Sequence, residues 1–165
     1  ADMAVMLGFK MTGGCSINPL NIDFLNMIPY PTRFGYAFGK KCRNIFKLGL
    51  VLVRQKMWTP EEQKAVLRAN MIAFLPTAKH VPFLRVVVTE LLDFLGEGRM
   101  IQPGRYEFVS GTIREADSET WLAFTEVSGL TEADEMAFRD YFRESLEVYG
   151  LLCVLDYEDL LRTLF

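Results

Sequence analysis

Apolar residues recur along this chain mostly at spacings of three and four, with one short stretch near the front where they alternate with polar ones. In that stretch Ile22, Phe24 and Met27 predict a strand, bent at Pro29-Tyr30-Pro31, and residues 34–38 return as the second arm of a hairpin. Before it, Met3, Met6 and Leu7 share one face of a short helix over residues 2–9, followed by a turn at Gly13-Gly14. After it, Gly39 opens a helix to about residue 53, with Cys42, Ile45, Phe46, Leu48 and Gly49 facing inward.

The rest reads as helices with explicit start signals. Thr59, Pro60 and Glu62 form a capping box with proline at the first helical position, and that helix should end at Pro76. A second helix begins near Val81-Pro82, carries Leu84, Val87, Val88, Leu91, Leu92 and Leu95, and closes at Gly96. Residues 97–111 read as a loop holding a short strand over 106–109. Asp117 or Ser118 caps a helix through Val127, and Thr131 with Asp134 caps one reaching Tyr149-Gly150. A closing helix spans 156–165. The fold class predicted is mainly α with a small β-hairpin (α+β), divided into a front segment over 1–38 and a helical lobe over 39–165.

Charge changes the picture. The net charge of −3 conceals a split: residues 1–85 hold 12 of the 18 Lys and Arg, but only 4 of the 21 Asp and Glu. Between Asp23 and Glu61 there is no acidic residue, while Arg33, Lys40, Lys41, Arg43, Lys47, Arg54 and Lys56 supply seven cations. Such a stretch suits a polyanion, because Lys and Arg neutralise phosphates without reading sequence. Tyr30, Phe34, Tyr36 and Phe38 lie beside them and can either stack on bases or fill the hairpin's core. We single out Arg33, Lys40, Lys41, Arg43 and Lys47 as the RNA-binding set.

Other chemistry is sparse. Cys15, Cys42 and Cys153 are odd in number and widely spaced, which predicts reduced thiols in an intracellular protein. With His80 the only histidine, a conventional zinc site is not expected, and no metal ligands are assigned. His80 reads as a loop or capping residue at a helix entrance. The carboxylate pairs Glu132/Glu135 and Glu158/Asp159 read as solvated charge on helical faces. No nucleophile elbow, phosphate loop or HExxH signature occurs, and no apolar run is long enough to span a bilayer.

Three stretches together resemble the last part of an RNA-dependent RNA polymerase of the positive-strand, nodavirus- and tetravirus-like kind. ADMAVMLGFK resembles polymerase motif D, IDFLNMIPYPT with GYAFGKKCRNIFKLG resembles motif E and the start of the thumb, and RANMIAFLPTAKHVPFLRVVVTELL resembles thumb helices. The resemblance implies a thumb lobe with the edge of the palm, holding primer–template RNA during viral replication in host cytoplasm. It maps the family's proton-donating lysine onto Lys10 and the primer grip onto the hairpin and basic helix. It also implies that the metal-binding aspartates, with their Mg2+ or Mn2+, come from another part of the polymerase, because this sequence lacks the Gly-Asp-Asp turn. Such a piece would not polymerise alone, and its exposed palm edge would invite self-association. Two other classes remain open: an intracellular helical adaptor using the acidic C-terminal helices to bind a protein, and a stand-alone RNA-binding protein.

Overall fold

The computed structural model describes residues 17–22, 27–40, 59–101 and 113–150. Within them the order is a 3-10 turn at Pro19–Asn21, strands β1 (Met27–Thr32) and β2 (Gly35–Lys40), then helices α1 (Pro60–Ala78), α2 (Leu84–Leu95), α3 (Ser118–Ser128) and α4 (Glu132–Tyr149). A mainly helical body carrying one antiparallel hairpin is the α+β class expected. The helix predicted at 2–9, most of that predicted over 39–53, the strand at 106–109 and the closing helix at 156–165 lie outside the described residues. So do all three cysteines.

The helix starts form as the sequence dictates. Thr59 Oγ1 accepts from the Glu62 N–H while Glu62 returns a carboxylate oxygen to the Thr59 N–H at 2.9 Å. Thr131 and Asp134 repeat the device on α4, and Asp117 caps α3 by accepting from the N–H groups of Glu119 and Thr120, both at 3.1 Å. Each cap satisfies donors that a helix leaves orphaned, worth about 1 kcal/mol apiece. At the other end of α2, Gly96 takes φ 62°, a left-handed value that a side chain would resist.

α2 is the centre of the body. It packs against α1 on one side and α4 on the other, and Leu84, Val86, Val87, Val88, Leu91 and Leu95 are all buried. Each such side chain contributes about 1.5–3 kcal/mol when taken out of water. Aromatic rings extend the core toward α3 and α4: Phe83 lies 5.8 Å from Phe124 and 5.5 Å from Phe138, which stacks on Phe142. No helix among the described residues is long and apolar enough to cross a membrane.

Three expectations need correction. The chain does not bend at Pro29-Tyr30-Pro31. β1 runs straight through it, and the reversal falls at Arg33-Phe34, between the paired Thr32 and Gly35. The prolines are tolerated because their backbone positions face away from β2: the Pro31 carbonyl accepts from Thr120 Oγ1 of α3 at 2.8 Å. Gly35, at φ 109°, supplies the turn's positive dihedral. Second, Gly39 opens no helix; it sits in β2 opposite Ile28. Third, α1 does not stop at Pro76 but runs one turn's remainder further, to Ala78. Pro76 sacrifices a single backbone bond there, and the complete burial of Ala78 holds the last residues in place.

Candidate nucleic-acid interface

β2 reads Gly-Tyr-Ala-Phe-Gly-Lys, so its small residues fall on one face and its large ones on the other. Ala37 and Gly39 share the face of Tyr30 and Ile28 of β1, their partners across the ladder, and this face packs on the helices, while Gly35 at the tip is exposed. Tyr30 is fully buried across it. Gly39 is the closest approach: a Cβ there would overlap the Val81 Cγ2 methyl and stand 2.8 Å from Tyr30 Cε2. A hairpin with an inner face this thin can lie flat against the α1–α2 turn. Its bulk must therefore go outward.

The outward face carries Tyr36, Phe38 and Lys40, paired across the ladder with Pro31, Pro29 and Met27. Tyr36 is 62% exposed and Phe38 48%, and Phe34 at the hairpin tip is 73% exposed. The Arg33 guanidinium lies over the Phe34 ring at 4.7 Å. Aromatic rings and cations thus share one surface of a rigid two-stranded element. Of the four rings named from sequence, Tyr30 fills the core, while the other three face solvent.

Arg33 and Lys40 occupy opposite ends of the hairpin, the first exposed in the turn and the second half-buried at the last residue of β2. The fold does not bring those two together. Lys10, Lys41, Arg43 and Lys47 lie outside the described residues. What sits beside Arg33 is instead the segment leading into α3. The Arg33 N–H donates to Asp117 Oδ2 at 3.0 Å, and Thr32, Arg33 and Phe34 face Arg114, Glu115 and Asp117 across a cleft of about 580 Å³. Sequence reasoning missed Arg114, because it lies 81 positions from Arg33 and no local pattern links the two segments.

Charge in this cleft is unevenly committed. Burial acts to raise the Asp117 carboxyl, but hydrogen bonds from Arg33, Thr120 and Glu119 outweigh it and hold the group below the usual carboxylate range. Glu115 reaches Lys79 at 3.4 Å and Arg85 at 3.9 Å. Neither the Arg33 nor the Arg114 guanidinium meets a carboxylate at ion-pair distance among the described residues.

Under the hairpin, His80 lies in the turn between α1 and α2 and is 2% exposed. It caps nothing. Its ring stands edge-on to Tyr30, 6.0 Å away at 80°. Burial, and then the positive charge of Arg114, push its pKa below the ordinary 6.5, against a smaller opposing pull from the backbone of Ala37 and Phe38.

The carboxylate pair Glu132/Glu135 also differs from expectation. Glu132 is exposed, but Glu135 is 1% exposed. It accepts from the Phe83 N–H at 2.7 Å and from Arg85 through both carboxylate oxygens. Arg85 in turn lies over Trp121 at 5.5 Å. Glu90 is similarly buried and held by a two-pronged contact from Arg143, each bond 2.9 Å. With their oxygens spent on arginines, both are structural anions. Among the described residues, no three His, Cys, Asp or Glu side chains converge to hold a metal ion.

Compared with known protein families, characterised proteins and solved structures, the chain matches none.

Proposed function

We propose that this chain is the RNA-holding part of a right-hand, RNA-directed RNA polymerase, with the hairpin's outer face laid against primer–template RNA. The observation that carries the reading is the inverted distribution of bulk in β2, which turns the small residues Ala37 and Gly39 toward the helices, with Gly39 buried, and sends Tyr36, Phe38 and Lys40 outward. Burying aromatic rings is ordinarily the largest gain open to a small sheet. A hairpin that forgoes it leaves three rings available to stack on bases or ribose, at about 1–3 kcal/mol per stacked base. The sequence resemblance to motif E and thumb segments supports the same assignment.

In this role the chain binds and positions RNA, and phosphoryl transfer needs the metal-binding aspartates of another part of the polymerase. Mg2+ or Mn2+ would act in such a polymerase, but the described residues offer no carboxylate cluster fitted to them. Backbone-directed cations hold a duplex firmly while letting it advance one step per cycle, since phosphate contacts are the same at every register.

The test is binding of a fluorescent primer–template RNA at low and moderate salt, using wild type, Tyr36→Ser/Phe38→Ser and Lys40→Glu/Lys41→Glu/Arg43→Glu. Salt-sensitive binding, weakened by the aromatic pair and abolished by charge reversal, is the expected result. Absence of binding at low salt overturns the proposal. A second reading then gains weight, a protein adaptor docking through α4, whose exposed Met136, Tyr141 and Val148 are set among Asp140, Glu144 and Glu147. Association through that surface would persist at moderate salt.

A further inference from the structure

The cleft between the hairpin tip and the segment leading into α3 has a charge account that points to a ligand. Four charged side chains line it: Arg33, Arg114, Glu115 and Asp117. The two carboxylates are committed inside the protein. Asp117 accepts from the N–H groups of Arg33, Glu119 and Thr120, and Glu115 faces Lys79 and Arg85. The two guanidinium groups have no anionic partner among the described residues. Each is a planar fork of donors matched to phosphate oxygens. Phe34 stands beside them with 73% of its surface exposed, and the cleft's volume of about 580 Å³ is ample for one nucleotide.

We infer that this cleft is a phosphate subsite for a single nucleotide unit, with Arg33 and Arg114 on the phosphate and Phe34 against the base or ribose. The inference rests on the RNA-holding reading and deepens it by adding a second contact at the hairpin tip, where Arg33 and Phe34 meet the segment leading into α3. It also explains why the hairpin tip is fixed to α3 by the Arg33–Asp117 bond: the two arginines come from segments far apart in sequence, and their spacing is set only if the tip is tied down. The same chemistry can be presented by an internal phosphodiester or by a free nucleotide.

Two titrations separate those sources. One uses a single-stranded RNA octamer with a 5′-hydroxyl, the other adenosine monophosphate with adenosine as the control, each for wild type, Arg114→Gln and Phe34→Ala. Arg114→Gln should weaken octamer binding and reduce the slope of log affinity against log salt by about one, the signature of one lost phosphate contact. Phe34→Ala should weaken binding while leaving that slope unchanged. Arg114 is exposed and makes no hydrogen bond or ion pair among the described residues, so its replacement should leave the melting temperature as in wild type. If adenosine monophosphate also binds, more tightly than adenosine and dependent on Arg114, the site accepts a free nucleotide; if only the octamer responds, the ligand is an internal phosphodiester. Octamer binding that Arg114→Gln leaves unchanged in affinity and slope overturns the cleft and spares the hairpin face. No octamer binding removes the RNA-holding reading. The cleft then stands only if adenosine monophosphate binds in an Arg114-dependent way, and falls otherwise.

Discussion

Glu135 on α4 accepts a hydrogen bond from the backbone N–H of Phe83 at 2.7 Å, and Phe83 is the one non-glycine among the described residues with a positive φ, 63°. A bulky residue in that region is strained by about 1–3 kcal/mol and persists only where its surroundings over-determine it. Here Phe83 is wedged between Phe124 and Phe138 while Glu135 grips its amide. Phe83 sits at the N-cap of α2 and offers no side-chain cap. A carboxylate from another helix therefore does what the third-position Glu of a capping box usually does, accepting from the N-cap N–H.

Removing that carboxylate should be costly. Glu135→Ala leaves the Phe83 N–H without its acceptor and deprives Arg85, whose side chain is 14% exposed, of its two-pronged partner, leaving it only the longer 3.9 Å contacts to Glu115 and Glu132. Breaking one side of a buried ion pair costs about 3–5 kcal/mol. Urea unfolding should show a loss of that order for Glu135→Ala, and Arg85→Met/Glu135→Met should recover most of it. An unchanged midpoint for the single variant would mean that the pair is no brace for α2.

Gly39 tests how the hairpin sits on the helices. Its replacement by alanine must displace the Val81 methyl or the Tyr30 ring, and overpacking of this kind costs about 1–3 kcal/mol. Gly39→Ala should lower thermal stability and also weaken RNA binding, since Tyr36 and Phe38 ride on the same strand. Gly35→Ala makes a useful contrast. Nothing lies near its would-be Cβ, so any loss there comes from the φ of 109° alone.

These residues also show what the sequence could and could not convey. Helix starts were legible because a capping box is a local device: Thr59 and Glu62, or Thr131 and Asp134, need only their own turn to form. The apolar run of α2 was legible for the same reason. The hairpin's class was readable but not its reversal point, since Pro29-Tyr30-Pro31 carries the local signature of a bend. What overrides it is a tertiary contact, the Thr120 hydroxyl on the Pro31 carbonyl. Glu135 and Arg114 were invisible in the same way. A buried anion fixed by an arginine 50 positions away, and a cleft built from segments 81 apart, leave no mark on either segment's pattern.

Arg68 is a further case of long-range capping. On α1 it donates Nε to the Gly96 carbonyl at 2.7 Å, Nη1 to Arg99 and Nη2 to Leu95, both at 2.6 Å. The last carbonyls of α2 are thus satisfied by a cation, which also suits the helix's negative end. Arg68→Met keeps the buried stem and deletes the donors. It should cost at least about 1.5–3 kcal/mol, and amide exchange should rise first at residues 93–99. Uniform acceleration across α1 and α2 would show instead that Arg68 acts only through packing.

His80 makes the seating of the hairpin sensitive to pH. Its pKa is lowered in the folded protein, by burial first and by Arg114 second, so the unfolded chain binds the proton more readily than the folded one. Stability therefore rises with pH through this range: the contribution is fully present above the ordinary value of 6.5 and is lost as pH falls below it toward the folded-state pKa. Protonation would place a second positive charge beside Arg114, under the Tyr30 ring and the inner face of β2. The informative quantity is a difference between two proteins. Urea midpoints of wild type and His80→Leu, measured at about pH 7.5 and about pH 5.5, isolate the histidine. Wild type should lose stability relative to the variant on acidification, and binding of RNA by the hairpin face should weaken in parallel. A constant difference between the two proteins across that interval would show that His80 stays in one protonation state, and that the hairpin owes nothing to its charge.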